Sequence, residues 1–126
     1  MEIKITEFFD SAHRLEYTPE LYSTSCMNMH GHTYKCEVII YGNFHPLVCD
    51  FGIVKETIRR FDHREISTVF SDVGYEGITT AENIVNCLWG MLTKGLPSNV
   101  KIKEISLWEG WKGTDTNKVT ITEEDK

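Results

Sequence analysis

The chain has 126 residues, about the length of one ordinary domain. Hydrophobic residues make up 40% and charged residues 25%, and this composition excludes a disordered chain. The formal net charge of −6 disfavours nucleic-acid binding, and no apolar run approaches the ~18 residues of a membrane span. The first residues lack the pattern of a signal peptide. We therefore expect one cytoplasmic domain over residues 1–126, with its cysteines present as thiols.

Hydrophobic periodicity predicts six elements in the order ββααββ. The predicted strands and helices occupy residues 3–10, 33–41, 51–61, 80–93, 100–109 and the stretch around 119–121. Because the strands come in adjacent pairs, we expect an α+β fold in which two helices cover one face of a four-stranded antiparallel sheet. The open edges of such a sheet favour oligomerisation through strand pairing.

Local signals mark the ends and irregularities of these elements. Asp50 is a plausible N-cap for the first helix, and Thr79 with Glu82 forms a capping-box pattern before the second helix. In the segment 100–109 the apolar residues change phase. This change predicts a β-bulge near Lys103 and Glu104.

The densest cluster of chemically useful side chains lies in residues 26–32. His30 and His32 are two positions apart at the start of a predicted strand, so their imidazoles project from the same face. Two imidazoles on one face can bind a borderline metal such as zinc. His13 follows the first strand, which should pair antiparallel with the second, and it is the best-placed third ligand. Three histidines with an open fourth position are typical of catalytic zinc.

Cys26 leaves two roles open in such a site. If Cys26 binds the metal as a fourth ligand, the site is closed and structural. If it stands beside the metal, the cation favours a thiolate that acts as a base or nucleophile. A third possibility is a cluster of histidines that binds no metal.

Six segments resemble one known family, and they occur in unbroken order between residues 8 and 109. They are F-D-S-A-H-R-L at 9–15, C-M-N-M-H-G-H at 26–32, V-C-D-F-G-I-V-K at 48–55, F-D-H at 61–63, T-A-E-N-I at 80–84, and Glu109. This set resembles the superfamily of 6-pyruvoyltetrahydropterin synthases and 6-carboxytetrahydropterin synthases. The gap of three residues between Cys26 and His30 is similar to that of the 6-carboxytetrahydropterin synthases of 7-deazaguanine (queuosine) biosynthesis. Two departures from the family pattern are Ser11 in place of Ala and Gly110 in place of Thr.

The resemblance implies a fold, an assembly and a set of roles. The expected fold is the tunnelling fold (T-fold), whose subunits form trimers that stack into a hexamer with active sites between subunits. The implied roles are zinc ligation by His13, His30 and His32, proton transfer by Cys26, Asp62 and His63, and pterin binding by Glu109 and Thr80.

The implied activity is that of a zinc-dependent lyase. The expected enzyme converts 7,8-dihydroneopterin triphosphate to 6-carboxytetrahydropterin, acetaldehyde and triphosphate. One alternative is 6-pyruvoyltetrahydropterin synthase activity, which eliminates triphosphate from the same substrate. Another is a non-enzymatic oligomer in which Cys26 completes a structural zinc site. None of these hypotheses involves nucleic acid or a membrane.

Overall fold

In the computed structural model, residues 1–15, 20 and 24–126 are described, and their strands form one five-stranded sheet with helices packed against it. In the described part of the chain, no helix is long and apolar enough to span a membrane. The strands and α-helices are β1 (Glu2–His13), β2 (His30–Tyr41), α1 (Phe51–Arg59), β3 (Arg64–Glu65), α2 (Ile66–Val73), α3 (Ala81–Gly95), β4 (Lys101–Glu109) and β5 (Asn117–Thr122). Short 3-10 helices occupy Thr24–Met27 and Glu123–Asp125.

The sheet has the strand order β3-β1-β2-β4-β5. The pairs β1–β2, β2–β4 and β4–β5 are antiparallel, whereas β3 pairs parallel to β1. The predicted α+β architecture with an antiparallel sheet is therefore confirmed. The predicted count of four strands is wrong, because β3 adds a fifth strand of only two residues, too short to show any alternation in sequence.

The predicted count of two helices is also wrong, because α2 lies between α1 and α3 in the described chain. Its apolar stripe consists of Ile66, Val69 and Phe70, all buried. The N-cap residue Glu65 makes no side-chain cap bond, and four of the eight residues are Ile, Thr or Val, which favour helix weakly. Tertiary burial of the stripe, rather than local propensity, therefore stabilises α2.

The local signals have mixed outcomes. The Asp50 carboxylate caps α1 by accepting a bond of 2.9 Å from the Gly52 N–H, as predicted. The bulge is also confirmed, because Ile39 pairs with Glu104 while Ile40 pairs with Ile102, which leaves Lys103 extra. The capping box is wrong by one residue. The N-cap of α3 is Thr80, whose hydroxyl accepts from Asn83 N–H, so Glu82 is at the second helical position.

A cluster of aromatic rings joins the helices to the first two strands. Phe9 stacks on Tyr34 with ring centroids 4.8 Å apart, and Phe61 lies 5.6 Å from Phe9. Phe61 also meets Phe70 of α2 at 6.4 Å. Because Phe61 is fully buried immediately before Asp62 and His63, its packing fixes where the next two residues lie.

We expect Phe61→Ala to lower the free energy of unfolding by ~3–5 kcal/mol, because it leaves a cavity among fully buried rings. Phe8→Ala is the matched control, since Phe8 is 47% exposed on the opposite face of β1, and it should change stability by about 0.5 kcal/mol or less. Urea denaturation measures both. Equal losses for the two variants would contradict this description of the core.

Candidate metal and catalytic site

The register of β1 and β2 gathers three histidines on the helix-covered face of the sheet. His13 is directly opposite His30, and Ser11 is opposite His32. The ring centroids lie 4.5 Å apart for His13 and His30, 5.3 Å for His13 and His32, and 4.9 Å for His30 and His32. One ligand nitrogen from each ring lies within 4.8 Å of the other two. The structure thus brings the three predicted ligands together around one point.

Backbone carbonyls orient two of the three rings. His13 Nδ1 lies 2.6 Å from the carbonyl oxygen of Thr79, and His30 Nδ1 lies 2.7 Å from that of Asn28. A carbonyl oxygen can only accept a hydrogen bond, so each Nδ1 atom carries a proton, and the neutral form of each ring then keeps its lone pair on Nε2. This arrangement is the usual support of metal-binding histidines.

The third ring, His32, has a nitrogen that lacks a partner. Its Nε2 atom is buried and accepts or donates no hydrogen bond among the described residues, and Glu109 Oε1 lies 3.6 Å away. A buried polar atom without a partner is destabilising unless a ligand satisfies it. A metal ion would satisfy this nitrogen, and three imidazoles are a donor set suited to zinc.

Burial sets the protonation state of the cluster. Desolvation lowers the pKa of both His13 and His32 from the ordinary value of 6.5, and the nearby Glu109 carboxylate opposes this effect without reversing it. The Thr79 carbonyl also opposes it at His13. Both imidazoles are therefore neutral at pH 7, which is the form that binds a metal.

A cavity of about 250 Å³ lies beside the histidine cluster. It is lined by both His13 and His30, and it collects residues for which the sequence predicts three different roles. These lining residues are Cys26, Thr80, Glu82 and Glu109. Predicted metal ligands, a predicted base and the predicted pterin-binding residues thus share one cavity.

Among the cysteines, Cys26 is the one that lines this cavity and is partly exposed. Burial raises the pKa of the Cys36, Cys49 and Cys87 thiols, in the last case to about 11. Those three stay protonated at neutral pH and pack in the core. They are poor candidates for a base, which leaves Cys26 as the thiol with access to a substrate.

Asp62 and His63 form a hydrogen-bonded pair just beyond α1. Asp62 Oδ2 lies 2.8 Å from His63 Nδ1, and Asp62 Oδ1 accepts a bond of 2.9 Å from the Asp10 N–H. Adjacent side chains on a helix cannot face each other, but His63 has a positive φ of 57°, which turns its ring toward Asp62. The bond from Asp10 is the main cause that lowers the pKa of Asp62, and His63 lowers it further.

His63 of this pair lines a different groove from Cys26. The His63 groove has a volume of about 560 Å³, and Asp10, Gly31 and Thr33 line it from the face of the sheet that the helices leave open. The predicted ligand His32 also lines this groove rather than the cavity of Cys26. The His63 side chain is 80% exposed. Within one chain, the structure does not bring Asp62 and His63 into the cavity of Cys26.

Sequence reasoning missed several residues that shape this site. Thr79 and Asn28 act through backbone carbonyls, which any residue type provides, so no sequence signal could have identified them. Asp10 holds Asp62 through its backbone N–H and accepts a bond of 2.6 Å from the Thr33 hydroxyl. Its place as the second residue of the F-D-S-A-H-R-L segment at 9–15 was the available signal.

The backbone conformation explains why Gly110 stands where the family pattern has Thr. Its φ of 78° is in the left-handed region, which glycine adopts without strain. The N–H groups of Gly110 and Trp111 both donate to the carbonyl of Thr33, at 3.0 and 2.8 Å. The chain therefore turns sharply after Glu109 and closes over the start of β2.

Comparison with known proteins identifies the family. A family model described as 6-pyruvoyl tetrahydropterin synthase matches residues 2–124. The chain belongs to this family. A dihydroneopterin monophosphate aldolase from Pyrococcus furiosus is 33% identical over 109 residues, which cover 81% of this chain and 83% of the relative.

Two further comparisons agree with this family. A 6-carboxy-5,6,7,8-tetrahydropterin synthase from Haemophilus influenzae is 28% identical over 128 residues, covering 80% of this chain and 86% of that protein. The solved structure of Caenorhabditis elegans 6-pyruvoyl tetrahydropterin synthase has a TM-score of 0.70 and 20% identity, covering 97% of this chain and 94% of that chain. The T-fold expected from the sequence is therefore confirmed.

We expect His13→Ala and His30→Ala each to weaken zinc binding by roughly 100-fold or more, since each removes one of three converging nitrogens. His45→Ala is the matched control, because His45 stacks on Phe44 and is not a member of the cluster. Metal content after dialysis against a graded chelator measures the effect. Full zinc retention in both site variants would show that the cluster is not a zinc site.

We expect Asp62→Asn to change the pH dependence of stability. Folding lowers the pKa of Asp62 from 3.8, so its charge adds stability that is fully present above pH 3.8 and is lost as the pH falls through the folded value. Urea unfolding should therefore show the wild type more stable than Asp62→Asn near neutral pH, with a gap that narrows below pH ~4. A gap that is constant with pH would mean that the carboxylate charge does not contribute.

Proposed function

We propose that the protein is a zinc-dependent 6-carboxytetrahydropterin synthase. Its reaction would convert 7,8-dihydroneopterin triphosphate to 6-carboxytetrahydropterin, acetaldehyde and triphosphate, within 7-deazaguanine (queuosine) biosynthesis in the cytoplasm, with residues 1–126 as one catalytic domain. The observation that carries the proposal is the single cavity in which His13 and His30 stand beside Cys26 and Glu109. The short spacing from Cys26 to His30 favours this branch of the family.

The residues proposed to hold zinc are His13, His30 and His32. Zinc bound to them would supply a Lewis acid for the hydroxyl oxygens of the substrate side chain, and the carbon-bound hydrogens beside those hydroxyls would become more acidic. The carbonyls of Thr79 and Asn28 prepare the ligands for this role, because they hold two of the rings with Nε2 available.

Cys26 is the proposed base, since a thiolate in the cavity can remove a proton from the side-chain carbon. His63 is proposed to exchange that proton with solvent, with Asp62 fixing its tautomer and stabilising the imidazolium. Glu109 is proposed to bind the pterin edge, because an N–H and an amino group in parallel match the two oxygens of a carboxylate. Thr80, at the N-cap of α3, lies in the same cavity and is proposed as a second contact with the pterin.

A second activity is favoured by the similarity to the Pyrococcus furiosus aldolase, which extends over 81% of the chain. In an aldol cleavage of a dihydroneopterin phosphate, a base takes the proton of the second side-chain hydroxyl and the bond between the two hydroxyl-bearing carbons breaks. The carbon that stays on the pterin then takes up a proton. The products are a hydroxymethyl pterin and a phosphorylated two-carbon aldehyde. The same metal-binding and proton-transfer residues would then cleave a different bond of the side chain.

Product analysis with zinc-loaded protein tests the proposal. We expect acetaldehyde and 6-carboxytetrahydropterin in equal amounts from 7,8-dihydroneopterin triphosphate. A pyruvoyl product without acetaldehyde would instead establish 6-pyruvoyltetrahydropterin synthase activity, and a phosphorylated two-carbon aldehyde would establish the aldolase. Cys26→Ala should retain zinc and lose turnover, whereas joint loss of zinc and stability would favour the structural-zinc alternative.

We propose that the active site is shared between subunits, and the separation of Cys26 from His63 supports this proposal. Cys26 and His63 line different cavities of one chain, so a second copy is needed to bring a His63 to each Cys26. The edge strands β3 and β5 offer backbone groups for such an assembly. We propose a hexamer built from two trimers, in line with the family resemblance.

We expect His63→Ala and Cys26→Ala each to lower turnover, by roughly 10²–10⁴-fold for His63→Ala. When the two variants are mixed under conditions of subunit exchange, activity should return, because about a quarter of the shared sites then combine an intact Cys26 with an intact His63. Sedimentation of the wild type should give a mass near six chains. A fully active monomer, or mixed variants without recovered activity, would contradict the shared site.

A further inference from the structure

Tyr34 carries a buried hydroxyl that the proposed mechanism does not use. The side chain is fully buried in β2, and its hydroxyl has no hydrogen bond of normal geometry among the described residues. The ring itself is well accommodated, since it stacks on Phe9 at 4.8 Å with an angle of 12° between the planes. A phenylalanine would make the same stacking contact without burying an unpartnered oxygen, so the hydroxyl calls for another explanation.

Glu109 lies between this hydroxyl and the histidine cluster. Tyr34 and Glu109 are directly opposite each other in the β2–β4 pair, and they share the helix-covered face with His32. Glu109 Oε1 is 3.6 Å from His32 Nε2, the other buried atom without a partner in the described chain. Two unpartnered buried atoms thus flank one carboxylate.

The Tyr34 hydroxyl is available as a donor. The Tyr34 phenol carries one O–H proton, and the Glu109 carboxylate directly opposite can accept it in a hydrogen bond. Glu109 also lines the cavity beside the cluster, whereas Tyr34 does not reach it. The hydroxyl can therefore act on a bound molecule only through Glu109.

We propose that Tyr34 is a positioning residue for Glu109. When His32 Nε2 binds the metal, the Glu109 carboxylate turns from His32 to accept a hydrogen bond from the Tyr34 hydroxyl, which holds its second oxygen toward the cavity. This inference rests on the proposed role of Glu109 in binding the pterin. On this proposal metal binding and pterin binding favour each other, because metal binding places the Glu109 carboxylate in the orientation that the pterin needs.

The test compares Tyr34→Phe with Tyr41→Phe in zinc-loaded protein. Tyr41 is the matched control, since it lies in the same strand and donates a bond of 2.7 Å to Glu123, away from the cavity. Fluorescence titration with neopterin, which has no phosphate, should show about tenfold weaker binding for Tyr34→Phe, and unchanged binding for Tyr41→Phe. Zinc content should be equal in all three proteins.

A double-mutant cycle distinguishes positioning from a general structural effect. In the Glu109→Ala background, Tyr34→Phe should cause no further loss of neopterin affinity. Unchanged affinity in the single Tyr34→Phe variant, or an equal loss in both backgrounds, would overturn the proposal.

Thermal unfolding tests the contact without any pterin. In metal-free protein, Tyr34→Phe should melt at the same temperature as the wild type or higher, because it removes an unpartnered buried hydroxyl. In zinc-loaded protein, Tyr34→Phe should melt at a lower temperature than the wild type. This reversal between the metal-free and zinc-loaded proteins should vanish in the Glu109→Ala background. If zinc-loaded Tyr34→Phe melts at the same temperature as the zinc-loaded wild type, the proposal is overturned even if neopterin binds. Failure of the wild type to bind neopterin, with the reversal present, would instead reject the pterin-binding role of Glu109.

Discussion

His13 and His30 face each other because β1 and β2 pair in one continuous register from Glu2–Tyr41 to His13–His30. Alternate pairs along this register share the helix-covered face, so a buried stack of Phe9 on Tyr34 continues directly into the histidine cluster. A shift of one residue in either strand would send its members of the cluster to the opposite face. The buried apolar pairs of β1 and β2 therefore fix the register that positions the histidines. The core and the candidate metal site depend on the same strand pairing.

The same strands also explain why Cys26 and His63 line different cavities of one chain. Odd residues of β1 face the helices, whereas Asp10 faces the open side, where Thr33 and the His63 groove lie. Asp62 is fixed there by the backbone of Asp10. One chain thus presents the proposed base Cys26 and the proposed proton carrier His63 in different cavities. Assembly into an oligomer would bring the Cys26 of one copy to the His63 of a neighbouring copy.

Much of this could be predicted from the sequence, for physical reasons that differ by residue. The strands were predictable because each buries one face, which leaves the period of two visible in Tyr34, Cys36 and Val38. The candidate ligands His30 and His32 were predictable because side-chain type and spacing define them. The helix α2 was not, since tertiary packing holds its three buried residues and no side-chain N-cap marks its start. The supporting carbonyls and the positive φ of His63 are backbone properties, which side-chain patterns do not encode.

Three histidine nitrogens converge on a candidate metal site, and we propose that Cys26 adjoins this site without binding the metal. Zinc K-edge X-ray absorption of the purified, zinc-loaded protein tests this claim most directly, because zinc–nitrogen and zinc–sulfur distances differ by about 0.2–0.3 Å. We expect three imidazole nitrogens and one further light atom at ~2.0–2.1 Å from the zinc, with no sulfur among the atoms that coordinate it. A zinc–sulfur distance of ~2.3 Å that disappears in Cys26→Ala would contradict the account and make the site a closed, structural one.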